Sequence, residues 1–399
     1  MNESFFQKLK RVRLVDYWHI VLFFAAILPA IILRLRRRHI WLICEGKTEA
    51  RDNGFYFFKY LNEKQPQIDS IYAIDYHCSV YGKVSKIGNT IPFGTYKHWV
   101  YYLASEVNVS SQKYGNPNAA VCYLLEIVLG LLRKKKVFLQ HGVIKDDLPF
   151  LHYDKAKFSM FCCSAQREFE FVRDNFGYPA GAVQMTGLCR FDALYNADVV
   201  PRTVLIMPTW RMDLQRNCVK EEFIKTEYYC HWNALLNDKA FIDSLERNDA
   251  TALFCVHREM KAFEDLFQSV SSRITVTGWD SVDVSWLIQT SACLITDFSS
   301  VYMDFAYMRK PVIYYQFDTE SYRAGHLPKG YFDYDDDGFG PICSSTNDVA
   351  DSLIHAAENN WQPDEVYKNR SEEFFPRNDG KNCLRTYLAI MDMLSSSRD

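Results

Sequence analysis

His141 stands directly after an apolar run at residues 137–140 and directly before Gly142. In an α/β sheet that position opens on the crevice beyond the strand ends, with little side-chain bulk beside it. Imidazole titrates near neutrality, so His141 is a candidate general base, although a loop histidine is as a rule only a surface residue. Ser299 and Ser300 mark a second place for chemistry. They lie in the stretch 293–315, which reads as a strand, a helix and a parallel strand. A serine there is expected to cap the helix, and the free amides of the first turn favour an anion such as phosphate. With Asp297 at the helix start, Asp304 falls about two turns on along the same side, where a carboxylate can accept ribose hydroxyls. A capped βαβ unit with no ligand carries the same text.

Three more apolar runs end in groups that handle phosphate. Arg190 follows residues 183–186, Thr209 and Arg211 follow 203–207, and His257 with Arg258 follows 253–256. One such coincidence is weak, but its repetition through both halves implies a cleft between two doubly wound α/β domains. The elements that must position these groups alternate accordingly. Strands are expected at 40–44, 70–74, 106–109, 137–140, 158–164 and 183–186 in the first half, and at 203–207, 253–256 and 273–277 in the second, before the stretch 293–315. Helices are expected at 55–61, 121–132, 166–175, 282–290 and 382–394, the last packing back across the first domain. The acidic residues 333–337 read as a solvated loop. This gives a segment 1–39, an acceptor-side domain 40–200 and a donor-side domain 201–399.

The chain has 399 residues, 48% of them hydrophobic, enough for two cores. A net charge of −3 argues against a nucleic-acid binder. Twelve cysteines are scattered without a Cys-x-x-Cys pair or a His/Cys cluster, so neither zinc nor a disulfide framework is indicated, and reduced thiols in cytosol fit better. Residues 20–33 form an apolar run interrupted only by Pro29. A bilayer crossing takes about 20 apolar residues, so interfacial insertion is expected rather than spanning, with a core helix as the alternative. Lys8, Lys10, Arg11 and Arg13 before the run, and Arg34, Arg36, Arg37 and Arg38 after it, suit an anionic cytoplasmic leaflet. Residues 133–136 can face headgroups as well.

From Trp41 to about Gln316 the sequence resembles the CDP-glycerol glycerophosphotransferases of teichoic-acid and related polymer synthesis. The residues that carry the likeness are Glu45 with Ala50-Arg51-Asp52-Asn53-Gly54, Gln140-His141-Gly142 with Lys145, and Thr186-Gly187-Leu188-Cys189-Arg190-Phe191-Asp192. They continue through Pro208-Thr209-Trp210-Arg211 and His257 to Thr296-Asp297-Phe298-Ser299-Ser300-Val301 with Asp304. Where the family often has Thr-Pro after His-Gly, this chain has Val143-Ile144, and Cys189 precedes Arg190 where proline is common. The resemblance implies a glycosyltransferase-B-like pair of Rossmann-like domains and a monotopic protein on the cytoplasmic face. It implies transfer of glycerol phosphate from CDP-glycerol to a hydroxyl of a lipid-linked glycan or polymer, with release of CMP. His141 would then take the hydroxyl proton, and His257 would hydrogen-bond the donor phosphate, assisted by Arg258 or Arg211. Ser299 and Ser300 would bind the pyrophosphate and Asp304 the ribose, while Gly142, Lys145, Arg190, Pro208, Thr209, Thr296 and Asp297 would complete the substrate site. No cofactor is implied beyond a divalent ion on the pyrophosphate. A CDP-ribitol transferase, a nucleotide-sugar glycosyltransferase or epimerase, and a nucleotide-binding scaffold without activity are the alternatives.

Overall fold

The computed structural model describes residues 13–211, 214, 218–324 and 330–396. The chain divides into two compact units: unit 1 holds Met1–His141, Leu148–Asp192 and Lys381–Asp399, and unit 2 holds Gly142–Asp147 and Ala193–Gly380. The division thus falls at 192/193, and residues 142–147 group with unit 2 although they directly follow His141.

Unit 1 is built on β1 (Ile40–Cys44), β2 (Asp69–Ile74), β3 (Asn89–Pro92), β4 (Val107–Ser110), β5 (Lys136–Phe138), β6 (Met160–Cys163) and β7 (Val183–Met185). They pair in parallel in the order β3-β2-β1-β4-β5-β6-β7. Unit 2 is built on β8 (Thr203–Ile206), β9 (Thr251–Val256), β10 (Ile274–Gly278), β11 (Cys293–Thr296), β12 (Val312–Tyr315) and β13 (Ile342–Cys343). Its parallel order is β10-β9-β8-β11-β12-β13. Each order runs outward in both directions from the first strand, so each sheet is doubly wound with a switch point beside that strand. The two switch points fall between β1 and β4 and between β8 and β11.

Parallel strands covered on both faces read as unbroken apolar runs, which is why Ile40–Cys44 and Cys293–Thr296 are buried throughout. The pleat sends Trp41 and Ile43 into one core with Phe57, Phe58, Ile390 and Leu394. It sends Ile40 and Leu42 into another with Phe23, Trp99 and Tyr102. The helices that matter here are α1 (Leu14–Arg36), α2 (Asn53–Lys64), α3 (Tyr96–Ala104), α4 (Tyr302–Tyr307) and α5 (Asn382–Ser395).

Three expectations are corrected. Residues 121–132 are not one α-helix: Ala119–Tyr123 passes into a π-helix, Leu124–Val128, in which Glu126 accepts the Tyr102 hydroxyl at 2.5 Å and pairs with Lys136. The acidic run is a short helix, Tyr334–Asp337, capped by Asp333 rather than an open loop. The basic groups near the apolar segment also serve the protein itself. Arg37 bonds Asp69 at 2.5 Å and the Tyr101 hydroxyl at 3.0 Å, and Lys134 donates to the carbonyls of Leu103 and Ser105. Lys8, Lys10 and Arg11 lie outside the described residues.

Helix α1 is longer than its apolar run. Pro29 cannot donate to the Ala25 carbonyl one turn back, and the Tyr96 hydroxyl donates to it instead at 3.3 Å. The buried face of α1 is Asp16, His19, Phe23, Ala26 and Ala30. Trp99 Nε1 donates to His19 Nδ1 at 3.0 Å, and Asn118 donates to Asp16 at 2.9 Å. Phe24, Leu28, Ile31 and Leu35 point away from the body.

Candidate functional site

In unit 1, the groups beyond the strand ends gather on one carboxylate. Asp52 caps the start of α2, where its Oδ1 accepts the Asn53 amide at 2.8 Å. Its Oδ2 lies 2.5 Å from His141 Nδ1. Arg190 Nε reaches Oδ1 at 3.3 Å. A carboxylate can only accept, so the His141 proton sits on Nδ1 and Nε2 is left to receive another. The Gln112 amide lies 3.3 Å from the same Nδ1 and closes that side of the ring. The Asp52 charge holds His141 above its ordinary pKa, against the opposing effects of burial and of Arg190. The His141 side chain is nevertheless 73% exposed, so its free edge is open to a reactant.

The backbone around this pair is fixed by Asn53. Its Nδ2 donates to the Gln140 carbonyl at 2.9 Å and its Oδ1 accepts the Arg190 amide at 2.9 Å, so one side chain ties both strand-end loops to the start of α2. Gln140, directly before His141, has φ +64, a left-handed conformation that costs a β-strand-end residue about 1–3 kcal/mol. It is held there by its side-chain Nε2, which donates to the Cys162 carbonyl and to Glu168, the latter at 3.0 Å. Gly187, in the loop carrying Arg190, has φ +85, and a Cβ there would meet the Asn382 side chain.

In unit 2, the switch point between β8 and β11 is occupied by a buried ion cluster. Asp297, with no exposed surface, accepts the amides of Thr209 at 2.7 Å and Phe298 at 2.6 Å and pairs with Arg211 at 2.9 Å. Arg211 also bonds Asp318 through Nε at 2.9 Å and Nη2 at 3.0 Å, and the Thr209 carbonyl through Nη1 at 2.9 Å. These two acids hold the guanidinium well above its usual range despite its burial. Arg211 is therefore committed to its neighbours, and the expectation that it assists a donor phosphate does not fit its bonds. Thr296 is committed too, donating to the Met207 carbonyl at 2.6 Å. Pro208 is buried beside Thr209, whose Oγ1 is buried without a hydrogen-bond partner.

His257 follows β9 and opens the 3-10 helix Arg258–Leu266. Its Nδ1 accepts the Glu259 amide at 3.2 Å, which places the ring proton on Nε2 and makes that edge a donor. Trp210 stacks at 21° to the ring with centroids 6.4 Å apart, and Trp279 packs at 5.4 Å. Arg258 is exposed. Lys145 lies 5.4 Å over the Tyr334 ring and pairs with Asp146 at 3.0 Å, with Gly142 partly covered in the same segment.

Neither Ser299 nor Ser300 is the helix cap. Helix α4 begins at Tyr302 with Val301 in the cap position, because the chain first makes a turn in which the carbonyls of Ser299 and Ser300 accept the amides of Tyr302 at 3.3 Å and Met303 at 3.0 Å. Ser300 is exposed and Ser299 half-buried. Asp304 is only 3% exposed in the first turn of α4, so a ribose contact by its carboxylate requires that turn to open. The sequence reading named Asp52, Asn53, Gln140 and Trp210 only as carriers of the family likeness, without a role, and did not single out Asp318 or Trp279. Only Asp52 had a local signal, an aspartate directly before a helical pattern, which marks an N-cap.

The profile of the family described as CDP-Glycerol:Poly(glycerophosphate) glycerophosphotransferase matches residues 26–392. The chain is 30% identical over 371 residues to the minor teichoic acid biosynthesis protein GgaB of Bacillus subtilis (strain 168), covering 90% of this chain and 40% of GgaB. It is 24% identical over 259 residues to the teichoic acid poly(glycerol phosphate) polymerase of Bacillus spizizenii, covering 63% of this chain and 52% of that protein. The chain thus spans about half or less of the length of these relatives. Among solved structures, the wall teichoic acid polymerase TagF, in a variant soaked with CDPG, superposes with a TM-score of 0.66. It is 16% identical, and the match covers 95% of this chain and 99% of that one, which shows a shared fold.

Proposed function

Because the chain belongs to the CDP-glycerol:poly(glycerophosphate) glycerophosphotransferase family, we propose that it transfers glycerol phosphate from CDP-glycerol to a hydroxyl group of a lipid-linked glycan or polyol-phosphate polymer. The observation that carries this reading is the Asp52–His141 pair, a proton acceptor held in one tautomer with its free nitrogen outward.

The acceptor hydroxyl oxygen forms a new bond to the phosphorus that carries glycerol, the bond from that phosphorus to CMP breaks, and the hydroxyl proton passes to His141 Nε2. Phosphoryl transfer demands positioning and neutralised charge more than covalent help. His257 supplies a donor hydrogen bond from Nε2 to the donor phosphate, with Arg258 as the cation beside it. The hydroxyls of Ser299, Ser300 and Thr209 are the donors for the pyrophosphate, and Arg190 offsets the charge of Asp52 on the acceptor side. No protein-bound metal has a part in this reading, and a divalent ion resting on the pyrophosphate is the one exception it allows.

The protein is read as monotopic on the cytoplasmic face of the membrane. What supports membrane attachment is the outward face of α1: Phe24, Leu28, Ile31 and Leu35 are exposed, while Asp16, His19, Phe23, Ala26 and Ala30 face the body. The helix, Leu14–Arg36, has 23 residues and is long and apolar enough to cross a membrane, unlike the shorter run expected from the sequence. Interfacial insertion is still the reading because buried positions from Asp16 to Ala30 pack the helix along unit 1. Tyr17 and Trp18 are exposed near one end, where amphipathic rings favour the headgroup level. All twelve cysteines are free, in keeping with a reducing compartment. Changing Phe24, Leu28 and Ile31 to serine should abolish co-sedimentation with phosphatidylglycerol vesicles while leaving the thermal transition in place.

The reaction is tested by incubating the protein with CDP-glycerol, CDP-ribitol and UDP-sugars, with and without a lipid-linked acceptor. CMP release from CDP-glycerol that depends on acceptor supports the proposal. A preference for CDP-ribitol moves the donor, and UDP release with no CMP overturns the reaction class. Turnover that survives EDTA agrees with the absence of a protein-bound metal.

A further inference from the structure

Glu45 follows β1 directly and is 1% exposed. Its Oε1 accepts the amides of Asp52 at 3.1 Å and Phe55 at 2.6 Å, and its Oε2 accepts the amide of Arg51 at 3.0 Å. Three backbone donors converging on one buried carboxylate fix the turn from which Asp52 projects. The winding is tight: a Cβ on Gly54 would stand 2.9 Å from Glu45 Cγ and 3.3 Å from the Cys44 carbonyl oxygen. Glu45 bonds the turn and Asp52 bonds His141, so whatever Glu45 does for that ring passes through Asp52.

We infer that Glu45 is a positioning residue for the transfer reaction, holding the 51–55 turn so that Asp52 keeps His141 oriented with its proton on Nδ1. The inference rests on His141 being the base of the proposed reaction. The charged and titratable groups around Glu45 are Cys44, Glu49, Arg51 and Asp52 on its own strand and loop and Tyr72 on β2, with His141 and Arg190 on the far side of Asp52. Burial, with Asp52 adding to it, pushes the Glu45 carboxyl up to about 7. Its charge is therefore set by the same turn that it organises.

Glu45→Gln separates this role from plain folding. The side-chain oxygen can still accept the Asp52 and Phe55 amides, but an NH2 group now faces the Arg51 N–H. The test uses the full chain and reads kcat, KM for CDP-glycerol and the His141 titration followed by NMR. The expected result is a kcat lowered about 10-fold or more with KM changed less than about 2-fold, the yield of losing one hydrogen bond to a charged group. The His141 midpoint should move down toward its value in Asp52→Asn, and adding Glu45→Gln to Asp52→Asn should cost less than about 2-fold more, since both act on one ring. A His141 titration and kcat like the wild type, or losses that multiply in the double variant, would overturn the inference. Should Glu45→Gln not fold, Glu45→Asp keeps the charge but withdraws it from the amides, and is read the same way. A shifted His141 midpoint in a protein that releases no CMP from CDP-glycerol leaves the positioning role standing and removes the proposed reaction.

Discussion

Asp52 and His141 are 89 residues apart in the chain, yet the carboxylate stands 2.5 Å from the imidazole Nδ1. A base must be neutral to accept a proton, so turnover should rise with pH through the His141 pKa, which Asp52 holds above the ordinary value of 6.5. Asp52→Asn removes that charge, and the rising limb should move to lower pH. The kcat should drop about 10- to 150-fold, matching the roughly 1.5–3 kcal/mol of a charge-assisted hydrogen bond. His141→Ala should retain donor binding and lose about 10²- to 10⁴-fold in turnover. A pH–rate profile unmoved in Asp52→Asn would remove the orienting role.

The parts of this arrangement that the sequence discloses are those carried by local pattern. Ile40–Cys44 is legible because a strand covered on both faces is a plain apolar run. The edge strand Asn89–Pro92 is not, since Asn89, Thr90 and Pro92 carry no such pattern and only Ile91 is buried. His141 and Arg190 are legible as strand-end residues, whereas their meeting on Asp52 depends on the strand order and has no local trace. Arg211 shows the reverse error. A cation at a strand end looks like a phosphate ligand until the carboxylates of Asp297 and Asp318, far along the chain, are seen to take its donors. Ser299 and Ser300 failed as caps for a smaller reason, an extra turn before α4.

His257 and the two serines act on the donor in separable ways. With Nδ1 accepting the Glu259 amide, the His257 ring carries its proton on Nε2, and His257→Ala, which removes that donor, should weaken both CDP-glycerol binding and turnover. Changing Ser299 and Ser300 together to alanine should lower donor affinity about 10²-fold or more, given about 1.5–3 kcal/mol for each hydrogen bond to phosphate. Calorimetric titration with CDP-glycerol and CMP reads both, and wild-type affinity in a folded double-serine variant would place the pyrophosphate elsewhere.

Asp297→Asn is expected to act on stability before it acts on substrate. It leaves Arg211 buried with a single acid partner and disturbs the acceptor of two backbone amides. Breaking a buried, hydrogen-bonded ion pair costs about 3–5 kcal/mol. The thermal transition should fall accordingly, and a Tm equal to the wild type would contradict the buried cluster.

His98 should make unit 1 sensitive to acid. It has no exposed surface, its Nδ1 accepts the Gly94 amide at 3.1 Å, and its Nε2 is buried without a hydrogen-bond partner. Burial lowers its pKa from 6.5 to about 3. The folded state thus favours the neutral ring, so this contribution to stability is whole above pH 6.5 and is lost progressively as pH falls toward 3. His98→Asn keeps an acceptor for Gly94 but cannot become charged. Its Tm should vary less than that of the wild type across that window.

Helix α5 supplies Cys383, Ile390 and Leu394 to the core that holds Trp41 and Phe57, and Asp192 accepts the Asn382 and Cys383 amides at 2.7 and 2.9 Å. A ribosome making this chain therefore completes nearly all of unit 2 before it delivers the last piece of unit 1. The earlier-made sheet must wait with one apolar face covered by α2 but not by α5, so the usual N-terminal-first order of domain folding is expected to fail here. Nascent-chain release experiments should find unit 2 protease-resistant first, and unit 1 only after residues 382–395 have left the tunnel.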